Sequence, residues 1–254
     1  TGFLAGLLGI GGGMLVVPSL TFLLTQRGVP AGVAVKIAIA TSMATILFTS
    51  LSSVRAHHRR GAVRWDIVRG MTPGIVAGGL LAGAGVFALV KGQGLALFFA
   101  LFVGFSATQM LLDKKPAATR QMPGPVGRAS AGAGIGFLSG LVGAGGGFIS
   151  VPFMVWCNVT IHHAVATSAA LGFPIALANT AGYVAGGWGM PPALPGAFGY
   201  LYLPALVIVA LVSMLVAPFG ARAAHALDVR QLKRVFALLL YVLAGYMLYK
   251  AIAP

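Results

Sequence analysis

Long apolar stretches alternate along this chain with short basic ones. The runs at 70–90, 94–112, 196–221 and 235–249 carry almost no charge. They reach or approach the ~20 residues that a helix needs to cross a bilayer. The last run is short but continues to Ile252 across Lys250. Read as helices, the pattern predicts eight segments. The first half holds 1–24, 33–54, 66–90 and 94–112; the second holds 131–157, 163–186, 197–221 and 231–252. Two of these segments are interrupted. GLLGIGGGMLVVP at 6–18 returns as GLVGAGGGFISVP at 140–152. An offset of 134 residues carries Gly6, Gly9, Gly11, Gly12, Gly13 and Pro18 onto Gly140, Gly143, Gly145, Gly146, Gly147 and Pro152. Each glycine weakens a helix by roughly 1 kcal/mol relative to alanine, so the runs read as breaks.

The duplication extends further. Ala40-Thr41-Ser42 matches Ala166-Thr167-Ser168, Pro73 matches Pro204, and Met110 matches Met247. The chain therefore divides into a first repeat over 1–113, a cytoplasmic linker over 114–130, and a second repeat over 131–254. The linker holds KKPAATRQMPGPVGR, whose prolines and glycines suit a connection. Internal repeats of this kind characterise transporter folds.

Composition narrows the class. The chain has 254 residues, 58% hydrophobic and only 8% charged, with a mean hydropathy of +0.95. Seventeen basic and three acidic residues cannot cover the surface of a soluble protein of this size. A net charge of +14 raises nucleic acid as a partner, but the basic residues sit in short loops between apolar runs. Positive-inside topology explains that distribution, and a groove-facing stripe is missing, so nucleic acid is excluded. The single cysteine, Cys157, rules out an intramolecular disulfide framework and reads as a small buried residue. The chain begins at Thr1 rather than at a methionine, with no separable signal peptide or soluble domain visible in the sequence.

Basic residues also orient the segments. The loop after segment 2 carries Arg55, Arg59, Arg60, Arg64 and Arg69; the linker carries Lys114, Lys115, Arg120 and Arg128; the loop before segment 8 carries Arg222, Arg230, Lys233 and Arg234. Eight full crossings would leave 10 of the 17 Lys and Arg on the cytoplasmic side. If segment 5 enters, breaks at its glycines and returns, and segment 1 does likewise from the opposite side, that number rises to 13. Three crossings per half is odd, so the copies are inverted. The expected fold is an all-α polytopic membrane protein of two inverted repeats of about four segments each, with segments 1 and 5 broken and re-entrant at Gly-Gly-Gly.

Non-helical backbone at membrane depth survives only inside the protein or along a watery cavity. The half-helices after the breaks would present free N–H groups and a positive dipole end, which bind anions without a cation. Gly11, Gly12, Gly13, Gly145, Gly146 and Gly147 are therefore candidate substrate-binding residues. Gly78-Gly79, Gly83 and Gly85 read instead as packing contacts. Thr41, Ser42, Thr167 and Ser168 either donate to the anion or bond back to the carbonyl four residues earlier. Asn179, with Thr180, either lines the cavity or bonds across helices. Lys36 and His162, five residues before each Thr, either steer anions at a cavity mouth or, for Lys36, snorkel to the interface. Trp156 reads as packing or interface, and 180–196 as a neutral extracytoplasmic loop. No metal set, cofactor or nucleotide-binding loop is expected. An enzyme is not expected either, because the histidines nearest Ser139 lie at a segment end rather than opposite it.

With those residues in hand, the chain resembles the sulfite exporter TauE/SafE family. The likeness rests on GLLGIGGGMLVVP, on the Ala-x-Ala-Thr-Ser segment after it, and on the return of both. It implies transport of small sulfur oxyanions and organosulfonates such as sulfite. The departures are Lys36 and the His162-His163 pair ahead of Thr-Ser. The expected function is secondary transport, as an exporter in the inner membrane, of a small sulfur-containing anion. The alternatives are an anion channel, or an importer of thiosulfate or carboxylate-type anions. The expected partners are the anion and the lipid bilayer, with monomer and homodimer both open.

Overall fold

A computed structural model describes residues 13–112, 120–224 and 229–252, without the side chains of 216–233. Its helices are α1 (Gly13–Gln26), α2 (Ala31–Arg59), α3 (Trp65–Leu89, widened into a π-helical turn over Leu81–Val86), α4 (Gly92–Leu112), α5 (Pro125–Val142), α6 (Gly147–Trp156), α7 (Ile161–Gly186), α8 (Leu203–Ala224) and α9 (Val229–Ile252). Two-residue strands, β1 (Ala197–Phe198) and β2 (Leu201–Tyr202), pair antiparallel just before α8. The protein is all-α and polytopic. Ala31–Arg59, Trp65–Leu89, Gly92–Leu112, Ile161–Gly186 and Arg234–Ile252 are each long and apolar enough to cross a membrane. Exposed Leu, Val and Ile side chains on α8 and α9, such as Ile208, Leu215 and Val242, suit contact with lipid rather than water.

Side-chain contacts fix the direction of each helix. One face of the bundle holds the end of α2 and the start of α3, with Arg59, Arg60 and Arg64. At the other face the Lys36 ammonium donates to the Ala88 carbonyl at 3.0 Å, joining the start of α2 to the end of α3. α5 starts at the basic face, where Arg128 reaches the Asp66 carbonyl at 3.4 Å. It then runs parallel to α3 on a seam of small residues. A side chain at Gly74, Gly78, Gly132 or Gly136 would strike the opposing backbone, so only glycine permits so close an approach. α7 also starts at the basic face, with His163 Nδ1 2.7 Å from the Ala62 carbonyl oxygen. Gly83 and Gly182 hold α7 against the π-helical turn of α3. Of the glycines expected to serve packing, Gly78, Gly79 and Gly83 do so, whereas nothing but Leu81 lies near Gly85.

Three departures from the sequence reading concern boundaries. The stretch 180–196 is not all loop, because α7 continues to Gly186. Its glycines are tolerated in a helix because Tyr183 and Gly182 are buried against α3. Segment 7 begins with the small hairpin, so its helix starts only at Leu203. α5 already starts at Pro125, where proline at the first helical positions loses no hydrogen bond.

Candidate functional site

α5 stops at Val142 and α6 begins at Gly147, leaving Gly143–Gly146 outside either helix. Gly143 and Gly146 take left-handed backbone angles, φ 71° and 76°, a region costly for any residue with a Cβ. The Gly143 amide donates to the Ser139 carbonyl at 2.8 Å and closes α5. The Gly146 carbonyl accepts from Ser150 at 2.8 Å and opens α6. The break thus begins two residues before the Gly145–Gly147 run and ends one residue before the run does, and Gly147 is already helical.

α6 then turns back. The Arg120 amide donates to the Trp156 carbonyl at 3.2 Å, and the Arg120 guanidinium lies 4.5 Å from the Trp156 ring centroid. Arg120 is five residues before α5, so the end of α6 lies within about 18 Å of the start of α5. Had α6 continued the direction of α5, the two ends would be about 42 Å apart. The basic face is therefore the destination of α6. α1 runs the other way. It ends at Gln26, beside the start of α2, and Arg27 reaches the Tyr202 hydroxyl at 3.1 Å ahead of α8. Gly11 and Gly12 lie outside the described residues. Gly13 itself abuts the backbone of Gly143 and Ala144 in the interior.

Buried hydroxyls surround these helix starts. Ser42 Oγ donates to the Gly143 carbonyl at 3.0 Å and lies 3.4 Å from that of Gly13. A Cβ on Gly13 would sit 3.2 Å from that oxygen. Ser168 Oγ lies 3.5 Å from the corresponding position of Gly147 and shares a 2.7 Å hydrogen bond with Ser150 Oγ. Neither matched serine bonds back to its own helix there, in contrast to Thr21 and Ser106, which do so four residues earlier. Ser139 Oγ, in a residue 2% exposed, has no hydrogen-bond partner among the described residues and lies 3.1 Å from where a Cβ of Gly146 would stand.

The matched threonines do something the sequence did not suggest. Thr41 Oγ1 accepts from the backbone N–H of Tyr202 at 3.0 Å, and Thr167 Oγ1 accepts from that of Arg64 at 3.0 Å. Tyr202 immediately precedes α8, and Arg64 immediately precedes α3. Each threonine therefore satisfies an amide at a helix start in the other half of the chain, one at each face. Both side chains are fully buried, where an unpaired amide would be costly. Their oxygens are engaged as acceptors, and what each retains to offer a ligand is its hydroxyl hydrogen.

Asn179 bonds across helices. Its Nδ2 donates to the carbonyls of Gly136 at 3.2 Å and Ile175 at 2.9 Å, while Oδ1 lies buried over Gly140 without a hydrogen bond. Tyr183, one turn further on, donates its hydroxyl to the Gly140 carbonyl. Sequence reasoning missed Tyr183 because its glycine-rich surroundings read as loop, although its place four residues after Asn179 puts both on one helix face. Lys36 lies 5.8 and 5.5 Å from the rings of Phe87 and Tyr200. His162 is exposed at the start of α7, and it is His163 that makes the contact. Cys157 is buried and not in a disulfide. Among the described residues no cluster of His, Cys, Asp or Glu suits a metal ion. An open groove of about 480 Å³ between α1 and α9, lined by Pro18, Phe22, Leu243 and Tyr246, is apolar and away from this chemistry.

Comparison with known proteins bears on this arrangement. A family profile described as "Sulfite exporter TauE/SafE" matches residues 1–247. A probable membrane transporter protein of Haemophilus influenzae is 36% identical over 250 residues, covering 98% of this chain and 94% of its own. One of Methanocaldococcus jannaschii is 28% identical, over 97% of this chain and 91% of that protein. Another, from Bacillus subtilis, is 32% identical over 61% of this chain and 63% of its own length. No solved structure matches the chain.

Proposed function

The chain belongs to the sulfite exporter TauE/SafE family, and from that premise we propose that this multi-pass membrane transporter is a secondary carrier of a small sulfur-containing anion. The carrying observation is that α1 and α6 have glycine-rich starts in the interior and run to opposite faces, beside matched serines. Two inverted halves follow naturally from this. α2 and α7 run in opposite senses, as do α3 and α8, and each half caps a helix start of the other through Thr41 or Thr167. Exchange of conformation between such halves gives alternating access to a central site. Amide groups at the start of α6 would hold the anion, helped by the hydroxyl hydrogens around them.

The face that holds Arg59, Arg60, Arg64, Arg120 and Arg128 is the cytoplasmic one in this reading, in an inner membrane. All three acidic residues, Asp66, Asp113 and Asp228, sit at or beside the basic loops. No carboxylate is then available at mid-membrane to carry a coupling proton. The potential itself suffices for export. A monoanion leaving a negative interior gains about 2.3 kcal/mol per 100 mV.

Purified protein in liposomes tests the proposal. Sulfite efflux should saturate with concentration, show counterflow and accelerate with an interior-negative potential. Flux that never saturates and lacks counterflow would make it a channel. Strict dependence on a pH gradient, with substrates of fixed charge, would overturn potential-driven export.

A further inference from the structure

We propose that the start of α6 is a site for a singly charged oxyanion, a sulfonate or protonated sulfite, with Ser139 as its hydroxyl donor. The inference rests on the transport reading above and adds a residue and a charge state to it. α6 has ten residues, and its first-turn amides, those of Gly147 and Phe148 among them, have no partner within the helix. A helix start alone would not make a site. The second observation is Ser139, which is 2% exposed and whose hydroxyl has no hydrogen-bond partner among the described residues and stands 3.1 Å from the Cβ position of Gly146. Buried hydroxyls without partners are rare because each costs free energy. This one sits where an anion on the α6 amides would accept its hydrogen. The Ser150–Ser168 pair consumes one hydroxyl hydrogen in its 2.7 Å bond and leaves the other to donate.

Every described group in this cradle is neutral. The nearby basic side chains are held at the faces: Lys36 by the Ala88 carbonyl, His163 by the Ala62 carbonyl, Arg120 over Trp156. Residues 1–12 contain no basic side chain at all. The cost of taking an ion out of water grows as the square of its charge, so a cradle without a cation compensates a monoanion far better than a dianion. Sulfite protonates near neutrality, whereas methanesulfonate stays singly and sulfate doubly charged.

Thermal unfolding of the purified full chain in detergent, with methanesulfonate, sulfite and sulfate as probes, tests both parts through mass action. Methanesulfonate should stabilise equally one pH unit below and one above neutrality. Sulfite should bind more tightly at the lower pH, and sulfate should give no shift. Ser139→Ala should weaken methanesulfonate binding roughly tenfold with little change in the ligand-free melting point. Ser139→Cys, which keeps the packing, serves if the alanine variant does not fold. Unchanged methanesulfonate affinity in the serine variants overturns the role of Ser139. Equal binding of sulfate and methanesulfonate overturns the charge preference. Either result leaves the transport reading standing. Stabilisation by none of the probes in wild type removes that reading and this inference together.

Discussion

Around Gly147 the hydroxyls of Ser139, Ser150 and Ser168 gather at one helix start. At Gly13, its counterpart under the 134-residue offset, Val16 stands where Ser150 does in the other copy, and the nearby hydroxyl is that of Ser42, matched with Ser168 through the Ala-Thr-Ser repeat. Ser42 spends its hydrogen on the carbonyl of Gly143, and thus on the break of the other half. The same glycine motif therefore serves two purposes. At α6 it opens a polar cradle, and at α1 it lets the helix start touch the Gly143–Ala144 backbone. In the proposed reading, a few side chains decide which copy of the duplicated segment meets a ligand and which one packs.

The strongest test of that contrast is Gly146→Leu. The left-handed backbone resists any side chain, and the new atoms would occupy the space between Ser139 and Ile175. Transport in liposomes should disappear; normal flux would mean that the α6 start holds no substrate. Next come the two aligned glycines. Gly13→Ala drives a methyl into the Gly143 carbonyl, and should cost about 2–3 kcal/mol in detergent unfolding, as overpacking does. Gly147→Ala meets only Ser168 Oγ, at 3.5 Å, and should stay within about 0.5 kcal/mol of wild type. Equal costs would erase the distinction.

Thr41→Val and Thr167→Val each strand a backbone amide, of Tyr202 and Arg64 respectively. Each should cost about 1–3 kcal/mol. The double variant should show nearly the sum, because the pairs lie at opposite faces. A loss of anion binding with no loss of stability would instead assign these hydroxyls to the ligand. Ser42→Ala should cost about 1 kcal/mol of stability with anion affinity unchanged. Ser168→Ala should reverse that pattern. Melting curves with and without methanesulfonate separate the two outcomes.

Much of this protein is written locally. Uninterrupted apolar runs specify helices, because a backbone in lipid must satisfy its own hydrogen bonds. Gly-Gly-Gly marks the break for the same reason, and Gly143 and Gly146 need the left-handed angles that glycine alone adopts cheaply. The helical end of α7 was obscured because Gly182 and Gly186 look like turn residues until α3 is seen to press against them. Thr41 and Tyr202 are 161 positions apart, and Thr167 and Arg64 are 103 apart, distances over which no periodicity carries information.

The sequence by itself determined the helices, the glycine interruption between α5 and α6 and the excess of positive charge at one set of loops, since each follows from the chemistry of neighbouring residues. Only the tertiary structure decided that α6 turns back toward Arg120, that each threonine caps the opposite half, and that Ser139 is left with an unused hydroxyl. Those outcomes depend on which groups, remote in the chain, compete for the same buried hydrogen-bond partners, and that competition is settled only when the helices pack.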